Sequence, residues 1–194
     1  MSVLLIAGSP SAPSRSTALL EAVGARLAAR AARIDRLVVR DLPAEALLRA
    51  EWGHPAIAAA IAKVAAARAV VVATPVYKAA YGGVLKVFLD LLAQNALKGK
   101  TVLPLATGGS PHHMLALDYA LRPVLHALSA RHILPGVYAT DAQITLTPEN
   151  AWQVHAELAE RLDDAAEVLA TEGLQLPARH GFEPVPFSQV RCSV

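Results

Sequence analysis

The segment Ala69-Val70-Val71-Val72-Ala73-Thr74 constrains this chain more than any other. It is apolar almost throughout, rich in β-branched residues and too short for a helix, so it suits a strand buried on both faces. Residues 3–7, Val-Leu-Leu-Ile-Ala, repeat the pattern and end at Gly8-Ser9-Pro10. Helix-period stretches lie between such runs. In residues 16–32, Leu19, Leu20, Val23 and Leu27 fall on one stripe. Further helices are expected over 55–68, 84–94, 112–130 and 149–171. Further strands are expected over 34–42, 101–107 and 132–139, the last interrupted by Pro135-Gly136. Strands separated by crossover helices form a parallel sheet with helices on both faces, which is the α/β class.

The chain has 194 residues. At about 150 residues per domain, one domain is expected. It is assigned to 1–172, followed by a tail over 173–194 that carries Pro177, Pro184 and Pro186 and lacks a helical period. The lone cysteine, Cys192, excludes a disulfide framework and a four-cysteine metal centre. Eighteen basic and sixteen acidic residues leave a net charge of +2, and the basic residues are scattered. Nothing in that balance calls for nucleic acid. The first residues lack the charged segment of a signal peptide, and no apolar run approaches about 20 residues. A cytoplasmic setting without membrane contact is expected.

Ligands of open parallel sheets bind beyond the carboxyl ends of the strands. Three strand ends here carry unusual turns. The first, residues 8–17, lacks both the dinucleotide-binding glycine pattern and the Gly-Lys-Ser/Thr of a triphosphate loop. It offers hydroxyls at Ser9, Ser14, Ser16 and Thr17, the Arg15 guanidinium and the free amides of a starting helix. Such a set can cradle one phosphate monoester, or it can be an ordinary helix cap. The second turn, residues 74–86, begins with Pro75, expected to stop the strand. It carries Tyr77, Tyr81 and the pair Gly82-Gly83, which suits a bound aromatic ring system. The third, Thr107-Gly108-Gly109-Ser110, exposes amides toward a carbonyl or a developing negative charge, or simply turns the chain into its helix.

Other constellations carry less. His112-His113 lacks a ligand at helical spacing, no Gly-x-Ser-x-Gly elbow occurs, and Asp163-Asp164 reads as a solvated helix face. Pro123 cannot donate to the Tyr119 carbonyl, so its helix must kink, bulge or restart there.

Three stretches resemble the NADPH-dependent FMN reductases: Ala7-Gly8-Ser9-Pro10 with Ser14-Arg15-Ser16, residues 73–83, and Leu103-Pro104-Leu105-Ala106-Thr107-Gly108-Gly109. The likeness runs over about residues 2–145 and looks nearest to the reductase component of bacterial alkanesulfonate monooxygenase systems. It implies a flavodoxin-like sheet of five parallel strands in the order 2-1-3-4-5. It implies an FMN phosphate held by Ser9, Ser14, Arg15 and Ser16. Pro75, Val76, Tyr77 and Lys78 would line the ribityl chain and isoalloxazine, with Thr107, Gly108 and Gly109 at the pyrimidine side. Residues 118–125 would carry a π-helix insertion at a tetramer interface, with Tyr119 at the inserted position.

The activity implied is hydride transfer from NADPH to FMN, supplying reduced flavin to a partner monooxygenase from a homodimer or homotetramer. The flavin carries the hydride chemistry, which agrees with the lack of an evident general base. Lys78 and Arg122 are candidates for reading the 2′-phosphate of NADPH. The alternative is a quinone, azo or chromate reductase that keeps FMN as a prosthetic group. A non-enzymatic electron carrier fits less well with the mildly positive charge.

Overall fold

The computed structural model describes residues 2–176. A parallel sheet is built from β1 (Ser2–Ala7), β2 (Arg33–Val38), β3 (Ala69–Tyr77) and β5 (Thr101–Gly108), with β6 (His132–Ile133) and β7 (Val137–Thr140) sharing the last position. Its order is β2-β1-β3-β5-(β6, β7), so the expected flavodoxin-like arrangement of five parallel positions is met. Pro135-Gly136 divides the fifth position, where Leu134 N–H donates to Val102 O at 2.9 Å. A two-residue strand, β4 (Ala80–Tyr81), folds back antiparallel on the end of β3.

Alternation along the strands explains why they are apolar on both sides. Val3 and Leu5 of β1 face a core with Leu19, Leu20 and Val23 of α1 (Arg15–Ala28) and Leu158 and Leu162 of α6 (Ala156–Val168). Leu4 and Ile6 face the opposite core. It contains Ala46 and Leu47 of α2 (Ala44–Leu48), Ile57 and Val64 of α3 (Pro55–Ala66), Leu85 and Phe88 of α4 (Gly83–Leu89), and Leu125 of α5 (Arg122–Ala127). The helices are stopped and started locally. Pro55 opens α3 behind a His54 cap whose Nδ1 accepts from Ala56 N–H at 3.2 Å. α1 closes where Ala31 adopts φ 62° and Ala32 N–H returns to Leu27 O at 3.2 Å.

Several boundaries depart from the sequence expectation. Pro75 does not end its strand: it pairs with Thr107 of β5, and β3 continues to Tyr77. Ala73 O accepts from Gly8 N–H at 2.8 Å, so residue 75, two positions on, turns its nitrogen toward the same neighbour. Strand β1 has already ended there, and the missing donor costs nothing. Residues 34–42 are not all strand, because β2 gives way to a 3₁₀ turn at Val39–Asp41. The helix expected over 149–171 begins only at Ala156. Before it, β8 (Ile144–Leu146) and β9 (Trp152–Val154) form a small antiparallel hairpin whose turn is closed by Thr147 N–H to Ala151 O, 2.8 Å. Asp163 is not merely solvated, since its carboxylate binds Arg26 of α1 at 2.8 Å.

The helix expected over 112–130 arrives in pieces: a 3₁₀ turn at Pro111–Leu115, a π-helix at Leu117–Leu121, then α5. Arg122 N–H bonds Leu117 O five residues back, and this widened turn delivers the chain to Pro123. A second π turn, Leu169–Gly173, ends α6, and Leu174 beyond it is fully buried. The tail expected over 173–194 lies, from residue 177, outside the described residues, as does Cys192. Among the described residues no helix is long and apolar enough to cross a membrane, and no group of side chains could hold a metal ion.

Candidate functional site

The turns after β1, β3 and β5 meet in one cleft at the carboxyl edge of the sheet. Ser9, Ser11, Pro13, Ser14, Arg15 and Ser16 form one wall, Pro75, Val76 and Tyr77 a second, and Thr107, Gly108 and Gly109 a third. Asp141, just past β7, completes it. Every residue that the family resemblance assigned to FMN except Lys78 is therefore in one place. Lys78 stands at the tip of the β3–β4 hairpin instead.

The first wall is organised by short polar side chains. Ser14 is extended (φ −140°, ψ 126°) and caps α1, its Oγ accepting from Thr17 N–H at 3.3 Å. The Ser14 and Ser16 hydroxyls lie 3.1 Å apart. Ser9 is buried and its Oγ accepts from Ser11 N–H at 3.2 Å, while the Arg40 guanidinium donates to the Ser11 carbonyl and holds the loop from the β2 side. The amides of Arg15 and Ser16 precede the first intrahelical donor and no acidic residue occupies the first turn, so the helix end presents positive potential to the cleft. Arg15 is pinned by Nε, which donates to Ile144 O at 3.2 Å and lies 3.8 Å from Asp141 Oδ1.

The second wall owes its shape to a tight hairpin. Lys78 (φ 50°) and Ala79 (φ 62°) both take positive φ, as the two central residues of a type I′ turn must, yet neither is glycine. Gly82 and Gly83 have a different role from close passage along a ring. Gly82 N–H donates to buried Thr74 Oγ1 at 2.9 Å, and Gly83 opens α4. Tyr77 is half exposed at the cleft, whereas Tyr81 packs against the core and burial pushes its phenol pKa up. One of the two tyrosines, not both, reaches the site.

The third wall depends on a residue that sequence reading missed. Tyr138 of β7 donates its hydroxyl to Ser110 O at 2.6 Å, passing so close to Gly108 that a Cβ there would lie 2.5 Å from the hydroxyl oxygen. Burial, and secondarily the Asp141 carboxylate, raises the Tyr138 pKa and keeps it a donor. Asp141 was missed as well. Its signal was position, one residue beyond the last strand on the edge that carries the other turns. Of the candidates for reading a 2′-phosphate, Arg122 is already engaged. Its Nε donates to Asp118 Oδ1 at 3.0 Å, and its terminal nitrogens reach Ile133 O and Leu134 O at 3.1 and 3.3 Å.

Chemically, the cleft joins an anion cradle of hydroxyls, amides and a guanidinium to a flat slot between two strand ends. Comparison with known proteins gives the family. The family model described as NADPH-dependent FMN reductase matches residues 1–145. The chain is 46% identical over 167 residues to FMN reductase (NADPH) of Escherichia coli strain K12, covering 86% of this chain and 87% of that one. It is 47% identical over 168 residues to FMN reductase (NADPH) of Pseudomonas putida KT2440, covering 86% and 85%. A solved structure described as the apo form of NADH:FMN oxidoreductase (EMOB) superimposes with a TM-score of 0.80 at 40% identity, covering 92% of this chain and 91% of that one.

Proposed function

The chain belongs to the NADPH-dependent FMN reductase family, and from that premise we propose that it oxidises NADPH and reduces FMN in the cleft described above. The observation that carries the reading is the convergence of the Ser9–Ser16 cradle with the Pro75–Tyr77 and Thr107–Gly109 walls. The donor set fits FMN: short hydroxyls, two free helix amides and one guanidinium suit a terminal phosphate, and the slot between strand ends suits a planar ring. Bound flavin supplies the hydride acceptor.

In this reading Ser9, Ser14, Arg15 and Ser16 hold the phosphate. Pro75, Val76 and Tyr77 line the ribityl chain and ring, and Thr107, Gly108 and Gly109 meet the pyrimidine edge. Lys78, exposed at the hairpin tip next to Tyr77, is left as the reader of the 2′-phosphate once Arg122 is spent on Asp118 and two carbonyls. Relatives named for NADPH and for NADH both lie near this chain, so a single exposed cation is a fitting discriminator.

The Asp141 carboxylate beside Arg15 opposes a dianion, which favours a flavin that leaves after reduction over one that stays. Released flavin would serve a separate flavin-dependent monooxygenase, in the cytoplasm, acting on alkanesulfonates as the motif resemblance implies. The test follows NADPH oxidation by purified protein against added FMN. Saturable dependence on FMN with reduced flavin appearing free is expected. Flavin retained through dialysis, with turnover only after a quinone is added, would replace this reading with the prosthetic-group alternative.

A further inference from the structure

The Tyr138 hydroxyl touches the turn after β5 on both sides of Gly109. On one side it stands where a Cβ on Gly108 would come within 2.5 Å of it, and on the other it donates to Ser110 O at 2.6 Å. We propose that Tyr138 is a positioning residue for the flavin ring. It fixes where the Gly108–Gly109 backbone stands in the slot, and so governs ring recognition without acting on the phosphate cradle. The inference rests on the flavin reading given under Proposed function.

The third wall is short of anchors of its own. Gly108 and Gly109 have no side chain to pack, and Gly109 is exposed. The nearest group to a Cβ on Gly109 would be Asp141 Oδ2, at 3.7 Å. Beyond the glycines, Ser110 O accepts from Tyr138 at 2.6 Å and from His113 N–H at 3.2 Å, so the first of these is the short bond that ties the turn to the sheet. The phenol is well placed to hold it. Tyr138 is buried in the core shared with Leu117 and Leu121, so packing sets the ring and leaves the hydroxyl as its polar tip. In the β5–β7 pairing Tyr138 stands opposite Ala106, and residues 106 and 108 point to the same face. The small Ala106 side chain lets the phenol lean along β5 as far as Gly108, where the site of a Cβ also lies 3.5 Å from Val76 Cβ of the second wall. Tyr138 itself does not line the cleft, and among the described residues its hydroxyl bonds nothing in the Ser9–Ser16 cradle. It therefore acts through the turn alone.

Tyr138→Phe keeps the ring in the core and removes only the bond. Fluorescence titrations of the full chain at neutral pH, with FMN and with riboflavin as a probe that lacks the phosphate, compare it with the parent and with Arg15→Ala. Tyr138→Phe should weaken both flavins by the same factor, about three- to tenfold for one hydrogen bond. Arg15→Ala should weaken FMN while riboflavin stays within about twofold, because the charge-assisted contact is to the phosphate. In steady state, the KM for FMN should rise in Tyr138→Phe and the KM for NADPH should not. A lower Tm in Tyr138→Phe with both flavin affinities unchanged would overturn the proposal, leaving the bond a matter of stability. A loss confined to FMN would also overturn it, by tying Tyr138 to the cradle. So would a parent that does not bind riboflavin, since the slot would then have no hold on the ring to position. Failure of the parent to bind FMN would instead remove the flavin reading itself.

Discussion

Asp141 is the residue that a plain phosphate site would avoid, and its carboxylate 3.8 Å from Arg15 Nε sets the balance of the cradle. Arg15→Ala removes a charge-assisted contact and should weaken FMN by about 1.5–3 kcal/mol in an equilibrium titration. Asp141→Asn should act in the opposite sense, tightening FMN by about 0.5–1 kcal/mol, because both groups are half exposed and screened. Weaker binding in Asp141→Asn would mean that the carboxylate serves to orient Arg15. Across the cleft, Gly108→Ala forces a methyl against the Tyr138 hydroxyl and should cost about 1–3 kcal/mol in denaturant unfolding. The next ring atom lies 3.5 Å away, so adding Tyr138→Phe should recover much of the loss. Tyr138 also sets a pH limit. Its native pKa is raised, so its contribution is complete below the ordinary phenol value near 10 and is lost as pH rises through the native value. Tyr138→Phe should flatten that alkaline decline in a pH series of melts.

The β3–β4 hairpin is the strained element of the site. Two non-glycine residues at positive φ each cost on the order of 1–2 kcal/mol. The turn is kept by the antiparallel pairing Val76↔Tyr81 and by Gly82 N–H on Thr74 Oγ1. Ala79→Gly should relieve part of that cost and raise Tm, with about 1 kcal/mol gained. An unchanged Tm would show that the neighbouring pairs already absorb the strain. The hairpin was not legible in the sequence. Type I′ turns are recognised by Asn-Gly or Gly-Gly, and here Gly82-Gly83 stands a few residues downstream, where it serves α4 instead. The defect at Pro123 was legible, because a residue with no N–H leaves the Tyr119 carbonyl without its partner wherever the helix runs. That the chain answers with a widened turn, not a break, depends on how Leu117 and Leu121 are both buried beneath it.

At the scale of the whole molecule, the 3₁₀ turn and the π-helix after it leave Met114, Leu115 and Tyr119 exposed, Tyr119 at 78%. The homodimer or homotetramer contact expected from the sequence would fall on such exposed apolar side chains. Tyr119→Ala should lower the order of assembly seen by light scattering, or alter flavin release, with little change in the stability of the fold. Unchanged assembly, flavin affinity and turnover together would leave the π turn a matter of architecture alone. The amino-acid sequence by itself determined the layered α/β plan and the edge on which the three turns lie. Two-faced apolar strands can be buried in few ways, and period is a property read along the chain. Tertiary structure alone decided that Pro75 continues its strand, that residues 152–154 pair as a strand ahead of the last helix, that Asp141 enters the cleft and that Tyr138 supports its third wall. Each of those turns on which neighbour a peptide group or side chain faces, and outside the β8–β9 hairpin that neighbour lies tens of residues away in sequence.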